Sequence, residues 1–569
     1  MTNKVKKNER RYTPAWTMRD MIKVYESHGD KVAFRYYATP KELAEMSYAT
    51  FTQQIKNTAA GFKKLGLVGK RIAVIGETSP NWIATYLAAV ASGSVAVPLD
   101  KELIISDLEG LLASAEVDVL VFSKSYGEKF APAHESHPTL KYFIPMDAEG
   151  LSYADSEKVI PLASVIEAGK QLPDYDYPVC EDTSRMAEML FTSGTTGSSK
   201  CVMLSEKNVI AAVNSACATV NFTPEDSIVS VLPIHHTYEL CCLLAGLDYG
   251  ITIGINDSLK RVLHNFKLFA PTGLVLVPLF VNTIYKKIFD EARKSGREKK
   301  LRFGLKLSRF LRHFGIDIRR KLFADVLSSF GGNLSKIICG GAPMNPKMSD
   351  VFFEFGIQIC EGYGITECSP LISVTPYYAP KPGSVGPAVP NCEVRIEANG
   401  EILPVGETGE IVVKGDNVML GYYNNPEANA QVFTEDGWFR TGDMGHLDKD
   451  GYIYITGRYK SVIVLENGKN VFPEEIEEHL ENIEGVLETV VVGRKAEDGE
   501  TVVLTAIIVP DMDRYPEGAS DEAILADLQA KVNEMNKKLA SFKHVRAVEI
   551  RHEEFEKTTS RKIRRHLVK

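Results

Sequence analysis

The sequence predicts a multidomain α/β protein. We expect a large N-terminal body of α/β subdomains with a small β-barrel-like subdomain, then a small α+β C-terminal domain. Three observations predict it. The chain has 569 residues, more than one hydrophobic core serves, since domains run to about 250 residues. Up to about residue 380, short β-branched runs alternate with helical stretches, the pattern of a sheet with crossover helices. From Gly386 to Tyr454 the texture changes to short strands separated by turn pairs.

The elements follow in order. Residues 71–77 (RIAVIGE) read as a buried strand; Ser79-Pro80 then opens a helix over 81–92, which Gly93 ends. Residues 117–122, 273–277 and 336–339 read as further strands. Residues 392–396, 410–413 and 452–455 read as the short strands of an antiparallel subdomain. Its turns are Asn399-Gly400, Asp436-Gly437 and Asp450-Gly451. Beyond Gly457-Arg458 come a helix from Pro473 with an acidic first turn, strands over 489–492 and 502–509, and an amphipathic helix around 521–539. The expected domains are therefore 1–457 and 458–569.

Composition narrows the class. Hydrophobic residues at 44% and charged residues at 25% are ordinary for globular chains, which excludes disordered, collagenous and coiled-coil descriptions. A net charge of −8 argues against a general nucleic-acid binder. Nine cysteines with no CxxC pair, several of them in apolar runs (Cys241, Cys242, Cys339), read as reduced buried thiols. No apolar run reaches the ~18–20 residues of a membrane span, and no apolar stretch follows the basic start as in a secretory signal. A cytoplasmic protein is expected. The segment from Lys286 to Lys321 stands apart, with fourteen Lys or Arg against four acids and apolar residues at helical spacing. It reads either as a solvated helical hairpin or as a surface for anionic lipid headgroups at the inner face of a membrane.

The most informative stretch is Phe191-Thr192-Ser193-Gly194-Thr195-Thr196-Gly197-Ser198-Ser199-Lys200, entered from the apolar run Met189-Leu190-Phe191. Small residues let backbone N–H groups approach phosphate oxygens, hydroxyls donate, and the lysine supplies a point charge. The spacing is not that of a Walker loop, and Cys201 follows Lys200 where that loop has Ser or Thr.

This stretch resembles the phosphate loop of the adenylate-forming superfamily, which includes acyl-CoA synthetases, luciferase-like enzymes and peptide-synthetase adenylation domains. The resemblance covers nearly the whole chain, because further motifs follow in the family's order. Gly340-Gly341-Ala342-Pro343 resembles the turn against which adenine lies. Glu361-Gly362-Tyr363-Gly364-Ile365-Thr366-Glu367 resembles the adenine and magnesium motif, and Thr441-Gly442-Asp443 the ribose motif. Gly457-Arg458-Tyr459-Lys460 resembles the hinge, and Lys557 to Ile563 the segment bearing the catalytic lysine.

The resemblance implies roles for single residues. ATP would be held by Thr192, Ser193, Gly194, Thr195, Thr196, Gly197 and Lys200. Gly341, Ala342, Pro343, Glu361, Gly362, Tyr363, Gly364 and Thr366 would hold its adenine and α-phosphate. Asp443 would take the ribose hydroxyls, with Arg458 and Lys460 beside it. Thr192 and Glu367 would face Mg²⁺, for which a carboxylate is a hard oxygen ligand. His236, in Leu232-Pro233-Ile234-His235-His236, matches a histidine bordering the acyl site. Two adjacent histidines alone do not make a zinc site. Lys562 would stabilise charge on the carboxylate and α-phosphate. Gly468 would let the pantetheine arm of coenzyme A pass. The C-terminal domain would be mobile, rotating about Lys460 to exchange Lys562 for the Gly468 region.

The pattern also departs from the family's. Ser199 stands where a proline is usual, Cys201 and Arg561 where glycines are, Glu206 where a histidine is, Ser461 where an aspartate is and Glu556 where a proline is.

These implications amount to a ligase that activates a medium- or long-chain fatty acid with ATP and passes it to coenzyme A. The basic insertion and the motifs Pro80-Asn81-Trp82 and Val97-Pro98-Leu99-Asp100 resemble bacterial long-chain acyl-CoA synthetases. Amino acids are disfavoured, since Ile234-His235-His236-Thr237 offers no aspartate for an ammonium group. An acyl-carrier-protein ligase and a non-catalytic acyl- or nucleotide-binding relative are the alternatives. Oligomeric state is not legible.

Overall fold

The computed structural model describes residues 14–178, 182–192, 200–465, 470–495, 502–557 and 563–568. The chain divides into two compact units. One takes residues 1–393 and 414–437, the other 394–413 and 438–569. The boundary expected at residue 457 lies inside the second unit, which also takes in the antiparallel strands before it.

The first unit is built on two mostly parallel sheets. In the seven-stranded sheet the order is Gly421–Tyr422, Lys200–Ser205, Met186–Thr192, Val95–Pro98, Arg71–Ile75, Val119–Phe122, Tyr142–Pro145. Strands such as Ile72–Ile75 and Val119–Phe122 are apolar at every position because both faces are covered. Helix Pro80–Ala91 makes one crossover. It starts where the sequence predicts, with Ser79 Oγ accepting from Trp82 N–H at 3.2 Å and Pro80 in the first turn. It ends at Gly93, whose φ of +88° suits a residue without a Cβ.

The second sheet has eight strands: Leu371–Val374, Gln358–Gly364, Lys336–Gly340, Gly273–Leu276, Ser227–Ser230, Thr252–Ile255, Val32–Thr39, Glu42–Ser47. Only its two outermost pairs are antiparallel. Its core gathers Phe266, Phe330, Ile337, Phe352 and Phe355.

The second unit holds a five-stranded sheet, ordered Glu401–Ile402, Cys392–Ala398, Gly409–Gly415, Phe439–Leu447, Ile453–Arg458. The turn residues Asn399, Gly400, Gly437 and Gly451 all adopt positive φ, as their dipeptides predict. A three-stranded sheet, Val486–Lys495, Val502–Pro510 and Ala547–Ile550, packs with helices Pro473–Leu480 and Asp521–Asn536 around Ile476, Leu480, Leu504, Ile508 and Leu528.

Cys241 and Cys339 are buried and Cys242 half-buried, and each is a free thiol. The segment from Lys286 to Lys321 does form a helical hairpin, from helices Pro278–Lys294 and Glu298–His313. No helix among the described residues is long and apolar enough to cross a membrane.

Candidate active site

The phosphate-loop residues Ser193, Gly194, Thr195, Thr196 and Gly197 lie outside the described residues, as do Gly468 and Lys562. The frame around the loop is described. Strands Met186–Thr192 and Lys200–Ser205 pair antiparallel, and their last pair is Thr192 with Lys200. The loop therefore begins and ends at one sheet edge. The outer neighbour there is the two-residue strand Gly421–Tyr422.

Tyr422 ties the site together. The Lys200 ammonium lies 4.6 Å from the centre of its ring, within cation–π range. Its hydroxyl donates to Glu367 Oε1 at 2.9 Å. Burial and the Glu367 charge push the phenol's pKa well up, so it stays a donor. Backbone bonds lock the same segment: Met419 N–H donates to the Glu367 carbonyl, and Tyr423 N–H to that of Cys201, both at 2.8 Å. Asn208 reinforces it from the start of helix Glu206–Thr219, its amide donating at 2.8 Å to the carbonyls of Asp416 and Val418. Sequence reading missed Tyr422, since its only signal is an aromatic residue after a glycine.

Glu206, in the place of the family's histidine, is fully buried. It accepts from Met18 N–H at 2.7 Å and pairs with Arg185. The departure is thus absorbed as a tie between segments.

The adenine-motif residues meet across two parallel strands. Gly340 pairs with Gly362, and a Cβ on Gly340 would come within 2.9 Å of the Gly362 carbonyl. A Cβ on Gly364 would overlap the Pro370 carbonyl at 1.7 Å. These glycines are required by packing of backbone on backbone. Gly341, Ala342 and Pro343 form an exposed turn above them, and Tyr363 is buried alongside. The Glu361 carboxylate is buried and accepts from Ser349 Oγ at 2.9 Å, which makes its side chain a structural tie. Thr366 and Glu367 sit together on the short helix Thr366–Cys368. One Glu367 oxygen takes the tyrosine bond; the other makes no hydrogen bond among the described residues.

A cavity opens beside this glycine-lined corner. It holds about 830 Å³ of empty space, counting the part continuous with solvent. Gly340, Gly341, Gly362, Tyr363 and Gly364 line one part of it. Tyr238, Cys242 and Tyr249, from helix Thr237–Tyr249, line another. Among the described residues no charged side chain lines it. Burial pushes the Cys241 thiol up to about 12 and Cys242 and Cys339 well up, so these thiols stay protonated and unreactive.

His236 stands at the N-cap position of that helix without a side-chain capping bond, its ring 4.2 Å from that of His235. His235 is buried with Asp100 at 3.6 Å, a partner the sequence did not reveal. Burial, then the charges of His236 and Lys101, hold its pKa well down, so the ring is neutral.

In the second unit, Asp443 pairs with Arg458 across neighbouring strands. Arg458 Nε lies 2.9 Å from Asp443 Oδ1. Asp443 is buried, with its N–H on Thr441 Oγ1 at 3.1 Å. Lys460 is exposed on the short helix Tyr459–Ser461. A Cβ on Gly457 would come within 3.0 Å of Phe472, so packing excludes a side chain there.

Residues 23–423 match the AMP-binding enzyme family and residues 460–569 the AMP-binding enzyme C-terminal domain. A long-chain-fatty-acid–CoA ligase of Mycobacterium bovis is 27% identical over 92% of this chain and 90% of its own. A chloroplastic long-chain-fatty-acid–[acyl-carrier-protein] ligase of Arabidopsis thaliana is 28% identical over 85% of this chain and 75% of its own. The crystal structure of ATP-bound MatB from Rhodopseudomonas palustris superposes with a TM-score of 0.73 at 25% identity, covering 97% of this chain and 98% of that one. With the family models matched over most of its length, the chain belongs to the AMP-binding enzymes of the adenylate-forming superfamily.

Proposed function

We propose that the protein is an ATP-dependent fatty acid–CoA ligase that forms AMP. The observation that carries the choice of acid is the uncharged cavity beside Gly340-Gly341 and Gly362–Gly364. A carboxylate at the nucleotide corner would leave an aliphatic tail among Tyr238, Cys242 and Tyr249. Transfer of that tail from water favours it by about 0.8 kcal/mol per buried CH₂. The ammonium group of an amino acid would find no counter-charge on that wall, since no charged side chain among the described residues lines it.

In the first half-reaction a carboxylate oxygen attacks the α-phosphorus of ATP and pyrophosphate leaves, giving a mixed anhydride. Such chemistry rests on positioning and charge stabilisation. Lys200, whose ammonium lies 4.6 Å from the Tyr422 ring centre, would meet phosphate charge. Glu367, one oxygen of which makes no hydrogen bond among the described residues, and the Thr192 hydroxyl are hard donors that suit a Mg²⁺ carried on the triphosphate. Bound there, the ion would neutralise phosphate charge. Asp443 would accept the ribose hydroxyls, and Lys562 would stabilise the transition state. In the second half-reaction the thiol of coenzyme A attacks the acyl carbon and AMP leaves. Burial keeps the Cys241 and Cys242 thiols of the cavity protonated, which supports an acceptor thiol supplied from outside the chain.

A panel of acids from acetate to stearate, scored separately for pyrophosphate and AMP with each acceptor, tests the proposal. Medium- or long-chain acids should release pyrophosphate, and coenzyme A should then release AMP. AMP release with acyl carrier protein alone would replace the acceptor, a reading favoured by the Arabidopsis relative's name. No exchange with any acid would overturn the proposal.

A further inference from the structure

The basic hairpin is unused by this chemistry. Helix Glu298–His313 is anchored on one side only. Gly304 packs against the Phe323 ring, and Ser308 Oγ donates to the buried Glu354 at 2.9 Å. Arg312 adds a second bond to Glu354 at 2.5 Å. At 100° per residue the opposite side carries Phe303 and Phe310, two turns apart, and Phe314 continues the row past the helix end. They are 65%, 62% and 62% exposed, and the following Ile316 is 50% exposed. Three phenylalanines in one row on water are a patch, unlike scattered surface apolar residues.

The charges around the row divide by type. Six arginines are spent on acids: Arg302 and Arg293 on Glu298, Arg297 on Asp325, Arg319 on Asp317, Arg309 and Arg312 on Glu354. Arg320 donates instead to the carbonyls of Gly332 and Leu334. Lys299, Lys300 and Lys306 make no ion pair among the described residues. Lys299 and Lys306 each stand four residues before a phenylalanine of the row, on the same face.

We propose that this face docks the protein peripherally on an anionic lipid bilayer, with Phe303, Phe310 and Phe314 entering the headgroup boundary and Lys299, Lys300 and Lys306 held on lipid phosphates. A bilayer offers apolar depth of ~5–10 Å below a negative surface, which is what an aromatic row between lysines fits. A second copy of this chain would bring the same positive charge and is repelled. An acidic protein satisfies the lysines but leaves the aromatic row unexplained. The inference needs no catalysis and stands apart from the assigned activity.

Sedimentation of the full-length protein with vesicles tests it. The wild type should pellet with phosphatidylcholine–phosphatidylglycerol vesicles and stay free of pure phosphatidylcholine. Binding should weaken in about 0.5 M salt. Replacing Lys299, Lys300 and Lys306 by Glu should weaken it at least ~tenfold. The Phe303→Ser/Phe310→Ser double variant, whose net charge is unchanged, should also weaken it. A Phe310→Trp reporter should blue-shift and be quenched by brominated lipid, which separates insertion from surface attraction. All these positions are exposed, and melting curves check that each variant is folded. Equal pelleting of wild type and variants, no pelleting with anionic vesicles, or binding only to an acidic carrier protein would each overturn the proposal.

Discussion

The Tyr422 hydroxyl donates a 2.9 Å hydrogen bond to Glu367 Oε1 while its ring faces the Lys200 ammonium at 4.6 Å. One side chain thus sets the spacing between the lysine at the end of the phosphate loop and the carboxylate proposed to meet Mg²⁺. Tyr422→Phe keeps the ring and removes only the hydroxyl. A hydrogen bond to a charged group is worth ~1.5–3 kcal/mol. ATP–pyrophosphate exchange should therefore fall roughly ten- to hundredfold with the melting temperature nearly unchanged. Unaltered exchange would show that Glu367 needs no such support.

Chain-length preference should follow the cavity. Cys242 is half-buried on its lining. Cys242→Phe puts a ring into that space. kcat/KM for palmitate should fall at least ~tenfold relative to that for short acids, since an added ring excludes several methylenes at ~0.8 kcal/mol each. A uniform loss across all acids would place the tail elsewhere.

Much of the scaffold was legible because it depends on neighbours in sequence. Ser79-Pro80 fixed a helix start, Asn399-Gly400 and Asp450-Gly451 fixed turns, and the apolar run over residues 72–75 fixed a buried strand. Gly340 and Gly364 were legible as motif members. Their physical reason, carbonyls within 3 Å of a missing Cβ, needed the strand register. Tyr422 and Glu354 were not legible, and Asp100, legible as a motif member, gave no sign of His235 as its neighbour. Each works through a partner far away in the chain, which no local pattern names. The basic hairpin shows both sides of this. Its charge count was plain, but only the fold shows that most of the arginines pair with acids while Lys299, Lys300 and Lys306 make no ion pair among the described residues.

Glu188, on the strand that enters the phosphate loop, gives a pH test of the core. Burial raises its pKa from 4.5 to about 8, with the Tyr86 hydroxyl pulling slightly the other way. The folded chain keeps the acid neutral, whereas the unfolded chain ionises it above about 4.5. The stability tied to this group is full below that value and is lost as pH rises to about 8. Glu188→Gln keeps the neutral shape and removes the loss. Its advantage over the wild type in urea unfolding should grow with pH across that window, by at most about 1.4 kcal/mol per pH unit. A difference independent of pH would mean that the carboxyl is ionised in the fold.

The two half-reactions should separate at Lys562. Lys562→Ala should cut fatty-acid-dependent pyrophosphate exchange by at least ~100-fold, in the range for losing one preorganised charge-stabilising group. Thioester formation from supplied acyl-adenylate should persist. Equal loss of both steps would assign the lysine to binding or folding.

The route of the carboxylate oxygen tests the central claim most directly. If the acid attacks the α-phosphorus, a fatty acid labelled with ¹⁸O in its carboxylate must leave one labelled oxygen on AMP when coenzyme A takes the acyl group. Mass spectrometry of the nucleotide product should therefore show AMP heavier by one ¹⁸O and unlabelled pyrophosphate. Unlabelled AMP, or ADP with the label in inorganic phosphate, would contradict the account.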